Sequence, residues 1–176
     1  MSYITKLRGG IALSPFRLEK LQAAAADAGF KDLVLTAEYW HFAESDSELS
    51  LEEVGVLGQL LSYGEPPLST EPDGELFLVT PRLGTLSPWA SKATDIARHC
   101  GLPNIRRIER GTAFRIQSAD KSSSKEARHI LASLLHDRMT ETVLSSLEDA
   151  EKLFVHFDPQ PMTSVDVLAG GRAALE

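Results

Sequence analysis

The residues best suited to chemistry lie in the run Thr80-Pro81-Arg82-Leu83-Gly84-Thr85-Leu86-Ser87-Pro88-Trp89, continued by Ala90-Ser91-Lys92-Ala93-Thr94-Asp95-Ile96. Ser87 and Pro88 are the types favoured at the N-cap and first position of a helix. A helix start presents unpaired N–H groups and a partial positive charge. Arg82, a glycine loop, the hydroxyls of Thr85, Ser87, Ser91 and Thr94, and Lys92 could therefore surround a bound phosphate. The plainer alternative is that Ser87 only caps the helix and the other polar residues form its solvated side. Helical spacing places Trp89, Ala93, Ile96 and Cys100 on one face, and Ser87, Ser91, Thr94 and Arg98 on another.

The remaining reactive types form no pattern of comparable density. His129 and His136 are seven apart without a carboxylate at ligand spacing, and His41, His99 and His156 are scattered, so no metal is expected. Cys100 is the single cysteine. It can form no intrachain disulfide, and its place on the apolar face marks it as a core residue. There is no P-loop, nucleophile elbow or dinucleotide fingerprint, and no catalytic residue is assigned. Ile105 to Arg110 with Arg115 is basic, whereas the corresponding stretch earlier in the chain carries Glu38, Glu44, Asp46 and Glu48. Attraction between the two stretches, or a basic edge facing another protein, accounts for this better than nucleic acid, which would need aromatic platforms in a wider basic field.

The helix that opens at Ser87 has an earlier twin. Leu13-Ser14-Pro15-Phe16 matches Leu86-Ser87-Pro88-Trp89 with the two serines 73 positions apart, and each copy follows an Arg-x-Gly segment. Gly29 and Gly101 close the two helices, strand patterns follow at Leu33 to Ala43 and Ile105 to Gln117, and second helices end at Leu60-Leu61 and Leu134-Leu135. Such constancy of offset marks an internal duplication. Each copy reads strand, helix, strand, helix: Tyr3 to Leu7 with a Gly9-Gly10 turn, Ser14 to Gly29, the long strand, and a helix begun by the Ser50/Glu53 capping box; then Leu76 to Val79, Ser87 to Cys100, a long strand bent at Gly111, a polar loop over Ala119 to Lys125, and a helix from Ser124. Apolar spacing from Ala127 to Phe154 predicts that this last helix is long or hinged near His136-Asp137, with Pro159 and Pro161 stopping it. We expect repeat one over 1–64, repeat two over 75–136, a duplicated domain over 1–145 and the start of a linker over 146–176. The uncapped helix formers at the end predict continuation into a larger polypeptide.

The chain of 176 residues is long enough for a real core. A net charge of −7 argues against general nucleic-acid affinity, and no apolar run reaches the roughly 20 residues of a membrane span. No signal peptide opens the chain, so a cytoplasmic location is expected.

Thr80 to Ile96, Cys100-Gly101-Leu102 and Ile108-Glu109-Arg110-Gly111, together with Ala37 to Ala43, Leu134 to Met139 and Pro161 to Asp166, closely resemble the amino-terminal region of the large, single-chain bacterial phosphoribosylformylglycinamidine synthases. The resemblance covers essentially the whole chain. It implies a part in purine synthesis, in which formylglycinamide ribonucleotide (FGAR), ATP, water and glutamine give the amidine, ADP, phosphate and glutamate. ATP and magnesium would belong to a synthetase domain and the glutaminase to a further domain of the same polypeptide, the implied partners here. The region resembles a fused dimer of the small S subunit of multi-subunit forms. It would join the two catalytic parts and help form the ammonia route and substrate cleft. The fold expected is α+β, two fused βαβα repeats with a mainly antiparallel sheet. Two competing readings are a free-standing phosphate-ligand-binding module and a separate accessory subunit.

Overall fold

A computed structural model describes residues 2–118, 124–155 and 161–175. The polar loop expected over 119–125 falls largely outside them, as do Pro159 and His156. Among these residues, five strands and four principal helices follow in the order β1 (Tyr3–Ile11), α1 (Pro15–Asp27), β2 (Leu33–Ser45), α2 (Leu51–Leu60), β3 (Glu75–Pro81), α3 (Pro88–His99), β4 (Ile105–Ser118), α4 (Lys125–Leu135) and β5 (Glu141–Leu144). A 3-10 segment, Glu148–Phe154, then packs on the sheet, and a short α5 (Val167–Gly170) lies beyond it. The sheet is antiparallel throughout, in the order β1-β2-β4-β3-β5. Without β5, that order is the one a two-fold axis between β2 and β4 generates, so the α+β fold carries the duplication.

Helix starts follow local chemistry. Ser50 and Glu53 close a reciprocal capping box at α2, and the hydroxyls of Ser87 and Ser124 receive the Ala90 and Ala127 N–H groups. Ser14 occupies the same position before Pro15 but makes no side-chain cap.

Alternation along the long strands sorts the core into two layers. On the helix side, Leu33, Leu35, Ala37, Phe77, Val79, Phe114 and Ile116 meet α1 and α4, while Ala43, Ile105 and Ile108 meet α2 and α3. On the opposite side, Phe42, Leu78, Ala113 and Leu144 are covered by Ala150 and Leu153 of the 3-10 segment. The packed body thus extends through Phe154.

Four expectations are corrected. The helical stripe from Ala127 to Phe154 is not one helix: Asp137 takes the Met139 N–H on its carboxylate and the Thr140 and Glu141 N–H groups on its carbonyl, and this turn returns the chain as β5 beside β3. Gly9-Gly10 is not a turn but part of β1, at a register shift between Arg8 and Ile11. A Cβ on Gly9 would lie 2.6 Å from His41 Cε1 and one on Gly10 would lie 2.0 Å from the Glu65 carbonyl oxygen, so both glycines admit close neighbours. β4 pairs with β2 without a register shift at Gly111; that glycine instead lets Thr80 and Val79 approach. Cys100 is exposed rather than in the core, because α3 turns a different face inward.

Candidate functional site

The inward face of α3 is Ala90, Thr94 and Ala97. β3 pairs with β4 only from Ile116 to Thr112, leaving the first half of β4 with an unpaired edge, and α3 seals it. Thr94 Oγ1 accepts the Ile108 N–H at 2.9 Å, and Arg98 donates to the carbonyls of Ile105 and Arg106. Side chains expected to form a solvated, anion-facing surface therefore serve as a hydrogen-bonded seam.

The start of α3 is occupied in the same way. Glu109, fully buried, accepts from the Ser87 hydroxyl at 2.8 Å, from the Ser87 N–H at 3.3 Å and from the Arg107 guanidinium. Arg107 also donates to the carbonyls of Thr85 and Leu153. The Thr85 hydroxyl returns to the Arg82 carbonyl at 2.6 Å. A carboxylate therefore already stands where an anion would meet the helix dipole. The second buried carboxylate, Glu38, is held by Arg8 and by the Leu68 N–H, which fastens the connector between the repeats to the sheet. With both carboxylates committed to arginines, neither offers free ligand oxygens to magnesium; among the described residues no cluster of three or more His, Cys, Asp or Glu is placed to hold a metal.

Arg82 takes a different direction. Its N–H bonds the Thr140 carbonyl at 3.1 Å and its guanidinium reaches the Met139 carbonyl, tying the β3–α3 loop to the α4–β5 turn. The two segments border an open cleft of about 470 Å³ lined by Arg82, Leu83, His136, Arg138, Glu141 and Thr142. Among the described residues neither Arg82 nor Arg138 has a carboxylate within ion-pair distance, whereas Arg8, Arg106, Arg107, Arg115 and Arg128 each hold one. Leu83, Leu86 and Met139 are exposed on the same edge. This edge sets two guanidiniums that lack a carboxylate partner among the described residues beside apolar surface, suited to a phosphate or carboxylate and to a protein neighbour.

The six residues singled out in the sequence therefore separate. Arg82 lines this cleft, Thr85, Ser87 and Thr94 hold structure, Ser91 is exposed, and Lys92 borders a groove between α2 and α3. Arg138 and His136 join Arg82 across more than fifty positions of sequence; their only signal was the Leu134 to Met139 run.

At the centre of the helix side lies another cluster without a distinct sequence signature. The Arg110 guanidinium sits 4.3 Å from the Tyr39 ring centre and 4.8 Å from that of Trp89, and it donates to the Tyr63 hydroxyl at 3.0 Å. Tyr63 in turn meets His41 Nε2 at 2.7 Å. His41 is 1% exposed, and burial, aided by the Arg110 charge, lowers its pKa from 6.5 to about 4. The Leu7 carbonyl pulls the other way, but Nδ1 has no partner in hydrogen-bond geometry. Burial raises the Tyr63 pKa. The cluster draws Tyr39, His41 and Tyr63 from the first repeat and Trp89 and Arg110 from the second, whereas Phe16, the counterpart of Trp89, is 73% exposed.

The model of a family described as formylglycinamide ribonucleotide amidotransferase N-terminal covers residues 38–154, from within β2 to the end of the 3-10 segment.

Proposed function

The chain belongs to the formylglycinamide ribonucleotide amidotransferase N-terminal family, and on that premise we propose that it joins the synthetase and glutaminase parts of such an enzyme and walls their substrate cleft. Membership makes it a component of an amidotransferase of purine biosynthesis. The ATP-dependent reaction on FGAR, the ammonia route, a cytoplasmic location and the division into a duplicated domain followed by a linker are parts of the proposal, with the expected boundary at 145/146 moved past Phe154 because Ala150 and Leu153 are core. Among the described residues no helix is long and apolar enough to cross a membrane.

The observation that carries the reading is the edge where Arg82 and Arg138 stand without carboxylate partners among the described residues, beside exposed Leu83, Leu86 and Met139. Guanidiniums suit the phosphate of a ribonucleotide substrate, and the adjoining apolar side chains suit burial against another domain. In the full-length enzyme, Arg82→Ala and Arg138→Ala should each raise the KM for FGAR roughly tenfold, the scale of one charged hydrogen bond, with glutaminase activity retained. Loss of glutamine-dependent turnover with ammonia-dependent turnover intact would restrict this edge to domain joining. Wild-type kinetics in both variants would overturn it. Micromolar binding of FGAR to the isolated chain in calorimetry would instead favour a free-standing ligand module.

A further inference from the structure

The duplication supplies an internal standard for packing. α1 corresponds to α3 and α4 to α2, so the α1–α4 contact and the α3–α2 contact are counterparts across the two-fold axis. Leu21 and Ala25 of α1 meet Leu131, Leu134 and Leu135 of α4 so closely that only about 10 Å³ stays open between them. Between α2 and α3 a groove of about 190 Å³ remains, walled by Leu57, Leu60, Trp89, Ala93 and Ile96 with Tyr63 at its end. Ile96 is 54% exposed although it projects from a packed helix over an apolar floor. Packed interiors leave few voids of that size, and one half of this fold fills the equivalent space.

Charge describes what would complete it. Lys92 on the groove wall makes no ion pair among the described residues, Asp95 included. Arg110, pressed against Trp89 and bonded to Tyr63, two of the lining residues, also lacks a carboxylate partner among the described residues. Its guanidinium is held between aromatic faces, so the ordering cost of binding an anion there is already met. Two cations beside an apolar groove, in a chain of net charge −7, select a complementary surface of opposite sign.

We propose that the α2–α3 groove seats an apolar segment bearing a carboxylate, contributed by another domain of the amidotransferase, with the carboxylate facing Lys92 and Arg110. The assignment rests on the reading of this chain as one domain of that enzyme. A photo-crosslinking benzoylphenylalanine at Ile96 of the full-length enzyme should join the groove to a segment outside 1–176 whose mapped peptide carries Asp or Glu beside apolar residues. The same group at Leu51, which is 94% exposed at the start of α2, should give little product. Lys92→Glu should lower the Ile96 yield about fivefold, and changing the mapped carboxylate to lysine should restore it. Crosslinking to a second copy, no crosslink, or a yield indifferent to Lys92→Glu would overturn the proposal. Glutamine-dependent turnover, assayed on the same preparations, shows separately whether the amidotransferase reading stands.

Discussion

Ser87 donates its hydroxyl to Glu109 across 2.8 Å while accepting the Ala90 N–H at 3.0 Å, so one side chain both starts α3 and fastens it to β4. Ser87→Ala removes the cap and one donor to a buried carboxylate. It should cost about 1–2 kcal/mol in urea denaturation of the chain. In the full-length enzyme any loss of turnover should track that lost stability. Reduced turnover at unchanged stability would return the helix start to direct contact with substrate.

The Arg107–Glu109 and Arg106–Asp46 pairs offer a controlled comparison on one strand. Glu109 is fully buried, and its replacement leaves Arg107, whose side chain is 20% exposed, facing the Thr85 and Leu153 carbonyls alone. Arg106 and Asp46 are both more than half exposed. Glu109→Ala should destabilise by about 3–5 kcal/mol, whereas Asp46→Ala should cost at most about 1 kcal/mol. Equal midpoints in a denaturant titration would contradict the assignment of Glu109 as the anchor of α3.

His41 sets a direction for acid stability. Its folded pKa of about 4 lies below its unfolded value near 6.5, so between those values the unfolded chain binds the extra proton. The contribution is complete above about pH 6.5 and is lost as pH falls toward 4. The span corresponds to something on the order of 3 kcal/mol. His41→Gln, which keeps a polar group near Tyr63, should flatten this part of the stability profile. A wild-type slope in the variant would place the proton uptake elsewhere.

Local and periodic features were legible in the amino-acid order. The two Ser-Pro starts, the Ser50/Glu53 box and the Gly29 and Gly101 stops act within a turn of chain, and the duplicated order of elements repeats them at constant spacing. The attraction anticipated between the acidic and basic strands appears where Arg106 meets Asp46, because β2 and β4 are neighbours. Arg82 was identifiable as a candidate by type alone. Its partner Arg138 was not, since only the Asp137 turn and the open edge of β3 bring them together.

The sequence by itself thus determined the duplication, the helix starts and the α+β character, all of which rest on interactions between residues close in the chain. Tertiary structure decided which polar groups were spent and which stayed available. Met139, Val143, Leu147 and Phe154 fit a helical period, yet β3 had unpaired backbone groups to satisfy and took Glu141–Leu144 as a strand. Thr94 reads as a solvated hydroxyl until the bare edge of β4 claims it, and Arg110 reads as one of several basic residues until Tyr39, Trp89 and Tyr63 converge on it. A side chain's commitment depends on what lies across the sheet, and separation along the chain carries no record of that.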